Sequence, residues 1–249
     1  MAACFCCPDG SHGLLAGRRG LLGMAAGAAL VGAGIVGAPR RALAADPVPH
    51  TNLTPAQALQ RMKDGNEQFQ LEAPFLTEQG RQRRIELARG QSPFCILVGC
   101  SDSRVPPGLL FGRGLGELFI VRNAGNTIDT AALGSVEYGV GVLGVPLIVV
   151  LGHESCGAVS AAVDVVRKNA TFPGVIGEMI QPIIPAVLSV REQGGDLLDN
   201  AVRANARRVA TRLQTQSQVI QGSASSGKVK VVAAYYALQE GHVTWMEDV

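Results

Sequence analysis

The chain has 249 residues, 47% hydrophobic and 17% charged, which suits one domain with a sizeable core and excludes a disordered chain. Aromatic residues make up only 4% against 31 glycines, which favours tightly packed α/β layers over an aromatic-rich sandwich. The formal net charge of +2 comes from four arginines before residue 45, set against the single Asp9, so the remainder is near neutral and carries no basic run for nucleic acid.

Residues 1–44 read as a targeting peptide. Arg18-Arg19 precede a stretch from Leu21 to Ala38 in which 11 of 18 residues are Gly or Ala, so it is only weakly hydrophobic. Ala42-Leu43-Ala44 is a small-x-small cleavage site. The arginine pair with Leu21-Leu22 resembles a bacterial twin-arginine signal, although Gly17 and Gly23 replace the usual Ser or Thr and Lys. The expectation is a cleaved leader, a mature domain over 45–249 that is periplasmic or secreted, and no stable membrane anchor afterwards. Cys4, Cys6 and Cys7 leave with the leader.

Thr54-Pro55 is a helix start, Thr as N-cap and Pro at the first position, with Ala56, Leu59, Met62 and Phe69 near helical spacing. A second helix is expected over 78–89. Both are only partly apolar and read as an arm lying against another surface. From Phe94 onward, strands and helices alternate. Strands are expected at 94–99, 118–121 and 147–152, and helices at 129–143 and 156–168. Prolines 173, 182 and 185 break the next region, with a helical piece over 187–193. One long amphipathic helix follows over 196–221, then a Ser/Gly turn over 222–227. Strands over 228–238 and 242–246 close the chain as a hairpin through Gln239-Glu240-Gly241. The predicted class is α/β, a mainly parallel central sheet flanked by helices with an N-terminal helical arm.

Two motifs stand where strands end. Cys100-Ser101-Asp102-Ser103-Arg104 follows the first strand, and His153-Glu154-Ser155-Cys156-Gly157 follows the third. Ligands of open α/β sheets gather outside the carboxyl ends of the strands. One sheet edge would therefore receive two thiols, an imidazole and a carboxylate. Two sulfurs and one nitrogen are a common zinc set, and three protein ligands leave a fourth position for water. Cys156 opens a helix, whose positive end favours its thiolate. Cys95, inside its strand, reads as a small buried hydrophobe. His50 and His242 read as surface or packing residues, with His242 a candidate for the mouth of a site, and Glu117 and Glu154 as solvated or structural.

These motifs, with Arg122-Asn123-Ala124-Gly125-Asn126, Gly116-Glu117-Leu118-Phe119 and the closing Tyr235-Tyr236 and Val243-Thr244-Trp245, resemble the β-class carbonic anhydrases over nearly the whole mature chain. The resemblance implies one Zn2+ per chain on Cys100, His153 and Cys156, and Asp102 and Arg104 as a catalytic pair. It implies Gln91, Phe119, Tyr138 and Gly157 at the substrate, in a narrow apolar pocket at a dimer interface that the N-terminal arm clasps. Family members often carry Val at the position of Ala124, so the pocket here would be slightly roomier.

The implied activity is reversible hydration of carbon dioxide to bicarbonate and a proton by zinc-bound hydroxide, in a homodimer or tetramer. Two thiolates make a weaker Lewis acid than two imidazoles, so activity should climb from about pH 7 to about pH 9. Asp102 could bind zinc as a fourth ligand and close the site, or be captured by Arg104 and leave it open. Three alternatives stay open: a related zinc hydrolase acting on carbonyl sulfide or carbon disulfide, a thiol enzyme using Cys156, and a non-catalytic zinc protein with Asp102 as permanent ligand.

Overall fold

The computed structural model describes residues 49–73 and 79–249. The leader, with Cys4, Cys6, Cys7 and the arginine pair, lies outside the described residues, as does the expected start of the second helix at Glu78.

Five strands form one sheet in the order β2-β1-β3-β4-β5, with β1 Cys95–Gly99, β2 Leu118–Arg122, β3 Leu147–His153, β4 Lys230–Tyr236 and β5 Val243–Met246. The first four are parallel, and β5 runs antiparallel to β4 as the expected hairpin. The central strands are buried on both faces, which is why they read as continuous apolar runs. Their side chains divide by the period of two. Ile96, Val98, Ile148, Val150, Val231, Ala233 and Tyr235 enter one core, and Cys95, Leu97, Leu147, Val149, Leu151, Val232, Ala234 and Tyr236 the other.

The helices are α1 Pro55–Gln70, α2 Arg81–Leu87, α3 Pro107–Leu110, α4 Thr130–Gly141, α5 Gly157–Lys168, α6 Ile176–Ile180, α7 Ile184–Val190, α8 Leu197–Gln216 and α9 Gln218–Ser225. The N-terminus of α1 is a capping box: Thr54 Oγ1 accepts from the Gln57 amide and Gln57 Oε1 accepts from the Thr54 amide. Asp129 and Asp196 cap α4 and α8 in the same local manner.

Four elements differ from the sequence expectation. The arm is not one body: α1 buries Ala58, Leu59 and Met62 in the second core of its own chain, whereas α2 buries nothing. Asn66 fixes that docking, donating to the carbonyls of Leu110 and Gly241 and accepting from the Val243 amide. The helix expected over 196–221 breaks at Ser217. Its hydroxyl caps Ile220 and donates to Glu137 at 2.6 Å, a part-buried bond that competes with one more helical turn. The predicted turn over 222–227 begins later, because α9 continues to Ser225. The helical piece expected over 187–193 is shifted to Ile184–Val190, with Pro185 accommodated in its first turn.

Gly65 lets α1 approach so closely that a Cβ there would overlap the Phe111 carbonyl. Gly65→Ala is therefore expected to destabilise the protein by about 2–3 kcal/mol, read as a lowered urea midpoint. An unchanged midpoint would mean that α1 does not dock here in solution.

Candidate metal centre

The parallel register of β1 and β3 places Gly99 opposite Leu151, so both chains leave the sheet at the same edge. Cys100 is the residue after β1. His153 is the last residue of β3, one beyond the expected strand end, because β4 continues alongside and pairs it with Tyr236. Ser155 turns the chain with a φ of 54°, and Cys156 becomes the residue that opens α5.

Cys100, His153 and Cys156 are all buried and present their ligand atoms within 4.8 Å of one another. The two sulfurs stand 4.0 Å apart as free thiols. Two thiolates at ~2.3 Å from one tetrahedral zinc stand about 3.8 Å apart, so the spacing fits the ion. His153 Nδ1 lies 2.8 Å from its neighbour Glu154's carbonyl, which makes Nδ1 the protonated nitrogen and leaves the lone pair on Nε2. That Nε2 is fully buried with no hydrogen-bond partner. A buried acceptor without a partner costs free energy, and a cation held with the two sulfurs removes that cost.

The charges favour a cation as well. The Cys100 thiol is pulled well below its ordinary range, chiefly by its bond with Cys156, with the Gly125 amide assisting against burial. Cys156 is pushed up by the other side of the same bond and by burial. The pair therefore shares a proton that a metal would release. Cys95 lies apart in the second core, its thiol pushed up by desolvation, as expected of a packing residue.

Asp102 does not join the three ligands. Arg104 takes both of its oxygens: the Arg104 amide and Nε donate to Oδ1 at 2.9 Å each, and Nη2 donates to Oδ2 at 2.7 Å. Oδ2 stands 3.9 Å from His153 Nε2, so the carboxylate flanks the group without belonging to it. Arg104 also donates to the Ser155 carbonyl, tying the first motif to the second.

The substrate residues divide. Gly157 is at the start of α5 with open space beside it. Gln91 is exposed and precedes β1, so a five-residue strand of about 16 Å separates it from Cys100. Phe119 pairs with Ile96, three pairings back from the edge where Arg122 meets Gly99. Tyr138 is 47% exposed on α4, its ring 6.3 Å from that of Phe119. One chain does not bring Gln91, Phe119 and Tyr138 to its own metal group. Ala124 does lie close, in a cleft of about 300 Å³ beside the first motif with Ser101, Asn123, Ile128 and Met179.

The other residues take the structural roles expected. Glu154 accepts from the Leu238 amide, and Glu117 from the Gly114 amide and Arg61. His50 Nδ1 contacts the Leu143 carbonyl, and His242 reaches Gln70. Arg122, quoted from the sequence only as part of a family signature and given no role there, donates from its side chain to the carbonyls of Cys100 at 2.7 Å and Asp102 at 2.6 Å. Its position at the end of β2, level with Gly99, was the available signal.

A family model described as carbonic anhydrase matches residues 95–243. The chain is 38% identical over 192 residues to a carbonic anhydrase of Mycolicibacterium smegmatis, covering 77% of this chain and 93% of that one. It is 37% identical over 202 residues to carbonic anhydrase 2 of Mycobacterium tuberculosis, covering 81% and 97%. Among solved structures, the β-carbonic anhydrase CcaA is similar at 29% identity and a TM-score of 0.60, over 75% of this chain and 86% of that one. The β-carbonic anhydrase CafA of Aspergillus fumigatus is similar at 25% identity and a TM-score of 0.60, over 78% and 91%. With the matched segment running from β1 into β5 and holding every candidate ligand, this chain belongs to the carbonic anhydrase family, in its β class.

Proposed function

We propose that the chain hydrates carbon dioxide reversibly to bicarbonate and a proton, with one zinc held by Cys100, His153 and Cys156. The observation that carries this reading is the buried, unpartnered His153 Nε2 facing two thiols beside a carboxylate already claimed by Arg104. Zinc, when bound, supplies a Lewis acid that makes water nucleophilic near neutral pH. The chain's own part is orientation. Arg104 holds Asp102 beside the ligands as an ionised acceptor that can take a hydrogen bond from the reacting water and aim its lone pair. The cleft beside Ala124, with Ile128 and Met179, offers an apolar wall for an uncharged substrate.

The alternatives are less well supported. A nucleophilic Cys156 would need access to its substrate, and this thiol is buried and in contact with the Cys100 sulfur. A permanent Asp102 ligand would have to surrender the bidentate pair with Arg104.

The site is completed by a second copy in this reading. Gln91, Phe119 and Tyr138 are remote from the metal group of their own chain, yet Ile120 lies exposed on β2, the edge strand of the described sheet, and Tyr138 is exposed on α4. A homodimer or tetramer would cover that edge. Export by the twin-arginine route also belongs to this reading. It is supported by Arg18-Arg19 and by a chemical need: two thiols 4.0 Å apart are vulnerable in an oxidising compartment unless metal is loaded first. Among the described residues, no helix is long and apolar enough to cross a membrane.

One preparation tests the activity: stopped-flow hydration of carbon dioxide, zinc content and light scattering, with carbonyl sulfide and carbon disulfide as competing substrates. The expected result is one zinc per chain, an oligomer, and activity climbing from about pH 7 to about pH 9. Arg104→Ala should keep its zinc and lose turnover. A zinc-free or monomeric protein with full activity refutes the reading.

The Asp102–Arg104 pair has a definite pH sign. The hydrogen bond from the Arg104 side chain holds the carboxyl far below its usual range, against a burial effect that raises it. A depressed folded value means that the pair's contribution is present above the ordinary ~4 and is lost only as pH falls through the depressed value. The 13C NMR signal of the Asp102 carboxyl should therefore stay flat from about pH 7 to about pH 4. In Arg104→Ala it should titrate nearer the ordinary value. Titration of the wild-type group above about pH 4 would show that the pair does not form.

For export, Arg18→Lys with Arg19→Lys should strand the precursor in the cytoplasm. Normal delivery of the double variant, read by fractionation, excludes the route.

A further inference from the structure

Helix α8 crosses the sheet on an apolar face made of Leu197, Ala201, Val202, Ala206, Val209, Ala210 and Leu213, all buried. Asn205 stands in the middle of that face and is 1% exposed. A carboxamide there costs free energy unless it is hydrogen-bonded, and an alanine or leucine would fit the pattern better. Its Nδ2 donates to the carbonyl of Gly125 at 2.9 Å, a bond between residues 80 apart in the chain.

Gly125 is not an ordinary partner. It sits in the short turn over 124–126 with a φ of 69°, in the left-handed region. Its own amide donates to Cys100 Sγ at 3.3 Å. The turn is wedged: a Cβ on Gly125 would come 2.7 Å from Ile183 Cδ1 and 3.0 Å from Ala158 Cβ. Packing limits where the turn lies, but a glycine's dihedrals stay soft. The two hydrogen bonds on either side of Gly125, one from Asn205 and one to the sulfur, hold its orientation.

We propose that Asn205 is a positioning residue for the metal centre, acting through Gly125 to keep an amide N–H aimed at the Cys100 sulfur. The inference rests on the zinc reading above. A hydrogen bond to a ligating thiolate draws charge from the sulfur and makes it a weaker donor, which leaves the metal more electrophilic. That matters in a site with two thiolates, which give the metal more charge than imidazoles would. Asn205 thus offsets part of the cost of the sulfur-rich ligand set from a helix that contributes no ligand.

Asn205→Leu tests this, because leucine keeps the branched outline of asparagine without its donor and suits the apolar face. The holoenzyme is compared with wild type as the zinc protein and as the cobalt-substituted protein. Loss of the donor should move the thiolate-to-cobalt charge-transfer band to longer wavelength, since the sulfur becomes more electron-rich. It should lower kcat at neutral pH about tenfold with KM little changed and zinc still bound. Val209→Ala, a cavity in the same face with no bond to the turn, should lower stability without moving the band. If Asn205→Leu does not fold, Asn205→Ala removes the same donor and decides the same comparison. An unmoved band at full cobalt occupancy overturns the role of Asn205 and leaves the zinc reading intact. A wild-type protein that takes up cobalt with no thiolate band overturns the zinc reading and this one with it.

Discussion

Strands β1 and β3 are hydrogen-bonded neighbours running the same way, Val98 level with Val150 and Gly99 with Leu151. Every chemical feature of the molecule hangs on that pairing, because the ligands are the next residues along each strand. Side chains alternate with period two, so a slip of one residue would turn His153 to the other face and separate it from Cys100. The register is held by burial on both faces, and a slip would exchange the two cores. β4 seals the other side of β3, pairing Tyr236 with His153 and accepting from the Glu154 amide at 2.8 Å. Gly152 permits the remaining contact: α8 crosses so near that a Cβ there would stand 2.9 Å from Val202 Cγ1.

The metal group is an instance of controlled incompleteness. His153, Cys100 and Arg122 each have main-chain partners: the Glu154 carbonyl for His153, the Gly125 amide for Cys100, and the carbonyls of Cys100 and Asp102 for Arg122. Such bonds rigidify the loops that carry the ligands. The exceptional His153 Nε2 is left without a partner on the side where the sulfurs converge. Arg104 then withholds Asp102, whose carboxylate stands 3.9 Å from that nitrogen. The same side chain binds Ser155's carbonyl, so a single cation links both motif loops and sets the state of Asp102.

Much of this was legible along the chain because the signals are short-ranged. A capping box needs only Thr54 and Gln57, three residues apart, and a buried parallel strand is an apolar run ended by a turn. Two such runs ending in Cys-x-Asp-x-Arg and His-x-x-Cys are local patterns too. What escaped reading depends on partners far away in sequence. Ser217 ends α8 because Glu137, on another helix, accepts its hydrogen bond. Helix α1 docks on its own sheet because Asn66 finds Leu110, Gly241 and Val243. Arg122 has no visible role until β2 lies beside β1 and its side chain reaches the first motif, nor Asn205 until the turn over 124–126 folds against α8.

The sequence by itself determined which donors exist, that each is carried to the end of a strand, and that two sulfurs, a ring nitrogen and a carboxylate would share one sheet edge. Those are consequences of local conformation and of the handed, parallel linkage of successive strands. Only the tertiary structure decided which nitrogen of His153 is left for the metal, that Asp102 is claimed by Arg104, and that Gln91, Phe119 and Tyr138 stand apart from the ligands of their own chain. The reason is geometric. Hydrogen-bond choice is set by distances of a few tenths of an ångström, whether the partner is one or two positions away, as for His153 and Asp102, or 20 to 80, as for Arg122 and Asn205, and no periodicity or motif along a chain carries that distance.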